Sequence, residues 1–216
     1  MKPKIKVCGV ADPAFAAEAA RMGVDYVGVI FADGSPRRVS AERAREVAAS
    51  VRRARPASPP KVVGVFVGGA ADQIARTAAA ASLDAVQLHG GHGNGAAVAP
   101  LKGAGLEVWC LFEGDAGRLP AIAAADALLL DGSCCGKSGG TGRLADWSRV
   151  GELKRMGFRV VLAGGLSVGN AAEAAATGAD VLDFNSSLET SPGVKSAARL
   201  EELMLRLGRG AENLTE

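Results

Sequence analysis

Eight short apolar segments recur along this chain, and each is followed by a stretch rich in alanine. The segments contain many β-branched residues, and cores such as VGVIF, VVGVFV and ALLL are apolar at nearly every position. Strands of this composition are typical of a parallel sheet that is covered on both faces. The predicted strands are Ile5–Val10, Asp25–Phe31, Lys61–Val67, Ala85–His89, Glu107–Phe112, Ala127–Asp131, Arg159–Ala163 and Asp180–Phe184.

The stretches between these strands carry the start signals of helices. Asp12 followed by Pro13 is an N-cap with a first-turn proline, and it predicts a helix over Ala14–Met22. Ser191 and Pro192 repeat this pattern, so we expect the last helix to begin there. The apolar positions behind them follow helical spacing, and they are Val194, Ala197, Leu200, Leu203, Met204 and Leu207.

Strand-then-helix units that repeat eight times in 216 residues predict an α/β fold, a (β/α)8 TIM barrel near the minimum size. One domain is expected to span residues 1–216, with a frayed tail after about residue 208. An open doubly wound sheet is the alternative architecture. The glycines at 91, 93 and 95 do not follow the G-x-G-x-x-G spacing of a dinucleotide site, which disfavours that alternative.

The balance of residue types excludes several classes of protein. The chain is 48% hydrophobic and 22% charged, so it can bury a full core. Its net charge of +2 gives no reason to expect a nucleic-acid or membrane partner. No apolar run approaches the roughly 18 residues of a membrane span, and the first residues do not resemble a signal peptide. We therefore expect a cytoplasmic protein.

Cysteine and histidine are too sparse to predict a metal centre. The four cysteines form no C-x-x-C pair, and the chain contains only two histidines. Unpaired thiols fit a reducing compartment. No metal ion is expected.

The catalytic rim of such a barrel is formed by the C-terminal ends of its strands. Cys8 lies at the end of the first predicted strand, and Asp131 ends the sixth. Cys8 is either a small packing residue or a general base or nucleophile, since an ordinary thiol has a pKa of about 8.5. Asp131 either caps or pairs with Lys137 or Arg143, or it is a general acid whose pKa is raised.

Glycine and serine residues follow the seventh and eighth strands, where barrels frequently bind phosphate through backbone N–H groups. The predicted phosphate site consists of Gly164, Gly165, Ser186 and Ser187. The alternative is that the two glycines only form a tight turn. Three further glycines within residues 139–142, after the sixth strand, predict a mobile loop.

Two basic side chains stand at the same rim. Arg37 lies in a short loop after the second strand, and a guanidinium there can bind a carboxylate through two parallel hydrogen bonds. His89 ends the fourth strand. It is either a histidine with a local partner or a hydrogen-bond donor to an anionic substrate.

Seven motifs in this order resemble those of phosphoribosylanthranilate isomerase, an enzyme family of tryptophan biosynthesis. The resemblance runs from about Lys4 to Leu207, nearly the whole chain. Each motif is short, but the ordered set is specific. The motifs are KVCG at 6–9, Phe31 with SPR at 35–37, VQLHG at 86–90, LD at 130–131, GGTG at 139–142, AGGL at 163–166 and ETSPGVK at 189–195.

The resemblance implies an Amadori rearrangement of N-(5-phosphoribosyl)anthranilate, without metal or organic cofactor. It implies Asp131 as the general acid and Cys8 as the general base. It places Arg37, with His89 nearby, at the substrate carboxylate, Asp183 at the sugar hydroxyls, and the phosphate at the glycines and serines named above. A phosphorylated small molecule is the expected partner, and a monomer or homodimer is the expected state.

The loop after the eighth strand departs from the family pattern. Asn185 stands where the family has a serine, and Ser187 stands where it has a glycine. If that position has a positive φ, Ser187 is strained there, and its Cβ crowds the phosphate. The alternative function is therefore a non-catalytic or altered phosphosugar-binding barrel.

Overall fold

The computed structural model describes residues 2–89, 94–113, 117, 119–132 and 146–209. Eight parallel strands form a closed barrel in which each strand pairs with the next along the chain and the eighth pairs with the first. The predicted TIM barrel is confirmed, and the open doubly wound sheet is wrong. The strands are β1 (Lys4–Val7), β2 (Tyr26–Ile30), β3 (Lys61–Val67), β4 (Ala85–His89), β5 (Glu107–Leu111), β6 (Ala127–Asp131), β7 (Val160–Ala163) and β8 (Val181–Phe184).

In the part of the chain that the structure describes, an α-helix follows every barrel strand. The helices are α1 (Pro13–Arg21), α2 (Ala41–Ala54), α3 (Ala71–Ala81), α4 (Asn94–Gly103), α5 (Leu119–Ile122), α6 (Ser148–Arg155), α7 (Ala171–Ala176) and α8 (Ala197–Arg206). The loops after β7 and β8 carry further short elements. These are the 3-10 helices Val168–Asn170 and Ser186–Leu188 and the antiparallel strands β9 (Glu189–Ser191) and β10 (Val194–Lys195).

The first helix begins where the sequence predicts. Pro13 is its first residue, and the Asp12 carboxylate accepts the backbone N–H of Ala14 at 2.9 Å. Proline is tolerated at this position because the first helical N–H groups have no partner within the helix. The helix ends at Arg21, one residue before the predicted end.

The predicted start of the last helix is wrong. Ser191 is the final residue of β9, and Gly193, with a φ of +86°, turns the chain back into β10. Val194 pairs with Ser191 across this hairpin and is 54% exposed, so it does not belong to the apolar face of the helix. The cap of α8 is Ser196, whose hydroxyl accepts the Arg199 N–H at 3.3 Å.

Alternate strand residues face either the surrounding helices or the barrel interior. Apolar side chains on the outer faces, such as Val7 and Val27, join the helices in one large buried cluster. A second apolar cluster, which includes Tyr26 and Trp109, fills the interior. Buried polar side chains interrupt this core on three strands, and they are Lys6, Gln87 and Asp183.

Several sequence-based predictions concern residues that the structure does not describe. The glycine-rich loop at 139–142 and the tail beyond residue 209 lie outside the described ranges. Of the helices within those ranges, none is long and apolar enough to cross a bilayer. The same ranges contain no group of three or more histidine, cysteine, aspartate or glutamate residues that could hold a metal ion.

Candidate active site

Cys8 and Asp131 lie at the same end of the barrel. Cys8 directly follows β1, and Asp131 is the last residue of β6. Because all eight strands are parallel, their carboxyl ends form one rim, and a ligand at this mouth can meet side chains from both strands. The structure therefore brings the predicted acid and the predicted base to one site.

The Cys8 thiol lies in a nearly buried position, with 5% of the residue exposed and apolar side chains of β2 and β3 packed against it. Burial raises the pKa of this thiol above its ordinary value. The ammonium groups of Lys6 and Lys195 oppose that rise, whereas the Asp183 carboxylate adds to it. The thiol is therefore mostly protonated at neutral pH, and the positive charges beside it favour the thiolate.

A buried lysine that the sequence analysis did not single out lies one layer deeper than Cys8. Lys6 Nζ donates to Asp183 Oδ2 at 2.5 Å and to Gln87 Oε1 at 2.7 Å, and the lysine side chain has no exposed surface. These partners come from β8 and β4, so the cluster spans the barrel interior. The sequence did contain a signal that Lys6 lies on the same side of its strand as Cys8, because the two residues are two positions apart and such residues face the same side.

Asp183 has one carboxylate oxygen that Lys6 does not use. Oδ1 is buried and has no hydrogen-bond partner among the described residues. Burial raises the pKa of this carboxyl, and the ion pair with Lys6 opposes that rise. Leaving a buried acceptor unpaired costs free energy, so Oδ1 is suited to accept a hydrogen bond from a hydroxyl group of a bound ligand.

Asp131 is in contact with His89, which ends β4. His89 Nε2 lies 3.2 Å from Asp131 Oδ2, and the two side chains are 23% and 17% exposed. His89 was predicted to be either a locally partnered histidine or a donor to the substrate; the structure gives it a contact with the predicted acid. The other predicted partners of Asp131, Lys137 and Arg143, lie outside the described residues.

Gly164 makes room for Asp131 at the end of β7. Its φ is +80°, and a Cβ placed there would lie 2.7 Å from Asp131 Oδ1 and would overlap the backbone nitrogen of Gly132. Gly165 follows with a φ of +70°. A side chain at position 164 would displace the carboxylate, so this glycine does more than permit a tight turn.

The two predicted phosphate-binding serines begin the 3-10 helix Ser186–Leu188 after β8. The condition for strain at Ser187 is not met: among the described residues other than glycine, only Ser82 has a positive φ, and Ser187 is held in the short helix. The Ser187 hydroxyl is buried, and no described residue forms a hydrogen bond with it. It is an additional polar group that the family's glycine lacks.

Arg37, the predicted carboxylate clamp, is bound along one edge by Glu189. Nε donates to Oε1 at 2.7 Å and Nη2 donates to Oε2 at 2.6 Å. A guanidinium carries five N–H donors, and Glu189 takes one from Nε and one from Nη2. The other edge, formed by Nη1 and the second N–H of Nη2, has no hydrogen-bond partner in the described ranges. Arg37 is thus oriented while one of its edges remains available.

Lys195 completes this ionic cluster. Its Nζ donates to Glu189 Oε1 and to Asn185 Oδ1, both at 2.8 Å, and its side chain is 2% exposed. Burial alone would raise the pKa of Glu189, but the hydrogen bonds from Arg37 and Lys195 outweigh it and lower that pKa to about 2. Glu189 and Lys195 belong to the last sequence motif, yet no role was predicted for either.

A sequence model of the family described as N-(5'phosphoribosyl)anthranilate (PRA) isomerase matches residues 5–205. The N-(5'-phosphoribosyl)anthranilate isomerase of Acidithiobacillus ferrooxidans is 35% identical over 212 residues, which cover 94% of this chain and 97% of that protein. The tryptophan biosynthesis protein TrpCF of Vibrio cholerae is 37% identical over 94% of this chain but only 41% of its own length. The chain thus spans about two fifths of the Vibrio protein.

Solved structures give the same family. The phosphoribosyl anthranilate isomerase of Thermus thermophilus has a TM-score of 0.82 at 33% identity, covering 95% of this chain and 98% of that chain. A phosphoribosyl anthranilate isomerase in complex with reduced 1-(o-carboxyphenylamino)-1-deoxyribulose 5-phosphate has a TM-score of 0.78 at 26% identity, with the same coverage. The agreement of sequence and structure across nearly the whole chain shows that it belongs to the phosphoribosylanthranilate isomerase family.

Proposed function

We propose that this chain converts N-(5-phosphoribosyl)anthranilate to 1-(2-carboxyphenylamino)-1-deoxyribulose 5-phosphate, with Asp131 as general acid and Cys8 as general base. The observation that carries the proposal is that Cys8 directly follows β1 and Asp131 ends β6 of one closed barrel, in a chain of this family. An acid and a base are needed on different parts of one small sugar, and residues from different strands of one rim meet that need.

In the proposed reaction, Asp131 gives its proton to the furanose ring oxygen. The C1–O bond breaks, and the anilino nitrogen supplies electrons to form a cationic iminium. This charge acidifies the C2 proton, which the Cys8 thiolate removes to leave an enolamine. The enolamine then takes a proton at C1 and loses the hydroxyl proton at C2, which gives the ketone, so the reaction needs no cofactor or metal.

The geometry supports one position for each part of the substrate. The available Nη1–Nη2 edge of Arg37 suits the anthranilate carboxylate. The unpaired Oδ1 of Asp183 suits a ribose hydroxyl. Backbone N–H groups around Gly164 and Gly165 suit the phosphate, with donors from the Ser186–Leu188 helix. His89 lies against Asp131, where it can influence proton donation.

The location proposed for this reaction is the cytoplasm. Cys8 and Cys110 are both free and buried, which suits a reducing compartment. Oxidation of Cys8 would remove the proposed base.

The proposed activity is tested by the loss of substrate fluorescence. Substrate is generated in place from anthranilate and phosphoribosyl pyrophosphate, and its disappearance is recorded for the wild type, Asp131→Asn and Asp33→Asn. Asp33 is a matched control because its side chain is 93% exposed in the loop after β2. We expect turnover by the wild type and Asp33→Asn, and a loss of at least about 100-fold in Asp131→Asn.

Absence of turnover by a folded wild type would contradict the proposed reaction. If that protein still bound the reduced product analogue, the result would support the alternative of a non-catalytic phosphosugar-binding barrel. The absence of positive φ at Ser187 removes the strain that would have favoured this alternative.

A further inference from the structure

We infer that Lys6 is a positioning residue for the proposed reaction: its buried side chain packs near the Cys8 sulfur, and the positive charge that it carries stabilises the thiolate. The inference rests on the proposed function for the role of Cys8 as a base. Its physical claim, that Lys6 stabilises the thiolate, concerns the protein without substrate. Lys6 has no proposed contact with the substrate and acts through Cys8.

Gly28 shows how closely the lysine and the thiol are packed. A Cβ placed at Gly28, on the neighbouring strand β2, would lie 2.8 Å from Cys8 Sγ and 3.1 Å from Lys6 Cε. The sulfur and the last methylene of the lysine therefore both border the space beside this glycine. The absence of a side chain at position 28 is what lets them lie next to each other.

The Lys6 ammonium has one N–H group that its two hydrogen-bond partners do not use. An ammonium carries three N–H groups, and Asp183 Oδ2 and Gln87 Oε1 take two of them. Burial opposes the charged form of Lys6, but Asp183 and Cys8 favour it, and the net effect is a raised pKa for the lysine. Lys6 thus stays cationic in an interior where a charge has a strong effect on its neighbours.

Other charged groups also face Cys8, and their arrangement favours a role for Lys6. The Lys195 and Arg37 cations approach from the β9–β10 hairpin and from the loop after β2. Both are bound to Glu189, whose negative charge offsets them. The Asp183 carboxylate is bound to Lys6 and disfavours the thiolate. Among these cations, Lys6 is the one whose side chain borders the same glycine as the Cys8 sulfur, and its charge favours the thiolate.

The inference is tested by alkylation of Cys8 in the absence of substrate. The background carries Cys134→Ser and Cys135→Ser, so that Cys8 and Cys110 are the remaining thiols. Cys110 is fully buried, and burial raises its pKa to about 12, so it does not react. The rate of iodoacetamide modification at Cys8 is followed by mass spectrometry between about pH 6 and about pH 9 for Lys6→Met and for Lys4→Met.

Lys6→Met is expected to slow alkylation at least about 10-fold at each pH, which corresponds to a rise of one unit in the pKa of the thiol. Lys4→Met is the matched control, since Lys4 lies two residues earlier on β1 and is exposed. Its alkylation rate should equal that of the wild type. A folded Lys6→Met protein with wild-type alkylation rates would overturn the inference.

A second variant covers the case in which Lys6→Met does not fold because it leaves Asp183 as an unpaired buried charge. Lys6→Met combined with Asp183→Asn removes both charges, and its alkylation should be slower than that of Asp183→Asn alone, because the two proteins differ only in the Lys6 charge. Equal alkylation rates in the double variant and in Asp183→Asn would also overturn the inference. The two proposals can fail separately. If the wild type shows no isomerase turnover but Lys6→Met still slows alkylation of Cys8, the role of Lys6 is supported and the proposed function is contradicted.

Discussion

Glu189 binds Arg37 through two parallel hydrogen bonds of 2.7 and 2.6 Å, although 152 positions separate the two residues in the chain. The pair joins the loop after β2 to the start of the β9–β10 hairpin. Because Glu189 is also bound by Lys195, it cannot turn away from Arg37 without losing a second ion pair. Arg37 is therefore held in a fixed orientation by Glu189.

Replacing Arg37 with alanine should raise KM about 10- to 100-fold and change kcat little, because the proposed carboxylate contact binds substrate and transition state alike. Arg38→Ala is the matched control, since Arg38 is 59% exposed and pairs only with the exposed Asp33 in the described ranges. Steady-state kinetics of both variants make the comparison. An unchanged KM in Arg37→Ala would exclude the carboxylate clamp.

Glu189 should make the protein sensitive to acid. Its pKa is about 2 in the folded state, below its ordinary value of 4.5. A lowered folded-state pKa stabilises the protein above the unfolded value, and this stabilisation is lost as the pH falls from about 4.5 through about 2. Urea unfolding of the wild type and Glu189→Gln should therefore show a stability difference that is largest near neutrality and narrows in acid.

The control for this experiment is Glu46→Gln, because Glu46 is 58% exposed in its pair with Arg43. Its stability should follow that of the wild type at every pH. A constant difference between wild type and Glu189→Gln down to about pH 3 would contradict the prediction.

The pH dependence of activity should reflect both proposed groups, because the reactive form needs a proton on Asp131 and a Cys8 thiolate. A carboxyl ordinarily loses its proton at a lower pH than a thiol, so between the two titrations a gain in thiolate is offset by an equal loss of the protonated acid, and kcat/KM should be level. The raised pKa of the Cys8 thiol should extend this level region beyond about pH 8.5, and kcat/KM should fall only above it. A fall of kcat/KM between about pH 7 and about pH 8 would contradict Cys8 as the base.

Removing the thiol should separate catalysis from folding. We expect Cys8→Ala to lower kcat at least about 100-fold while the thermal unfolding temperature changes little, since the change deletes only one small sulfur atom at the rim. Far-UV circular dichroism would confirm the fold of the variant. Turnover close to that of the wild type would remove Cys8 from the mechanism.

Gly164→Ala should reduce activity through crowding at Asp131. Its added Cβ would lie 2.7 Å from Asp131 Oδ1. Gly178→Ala is the matched control, because Gly178 has nearly the same φ, +83° against +80°, but nothing lies within 4 Å of its Cβ. Backbone strain should cost both variants about 1–2 kcal/mol of stability, and Gly164→Ala should lose more because its Cβ also meets the backbone nitrogen of Gly132. Only Gly164→Ala should lose turnover. Equal activity in the two variants would contradict the crowding.

The architecture could be predicted because it depends on patterns that are local in the chain. Apolar runs of strand length, alanine-rich helices and the Asp12–Pro13 start signal each need only a few consecutive residues. The predicted bounds of β3, β4 and β6 agree with the structure. The start at Ser191 failed because Gly193 turns that segment into a hairpin, and a serine followed by proline suits either context.

The partners of the site residues depended on closure of the barrel. The motifs identified Cys8, Asp131 and Arg37, since each directly follows or ends a strand or lies in a short rim loop. The contacts of Lys6 with Gln87 and Asp183 join residues 81 and 177 positions apart. Such contacts are set by the pairing of β1 with β8 and by the strand register, which no local pattern specifies. Residue types at the rim could therefore be read along the chain, whereas the charges that surround them follow from how the strands meet.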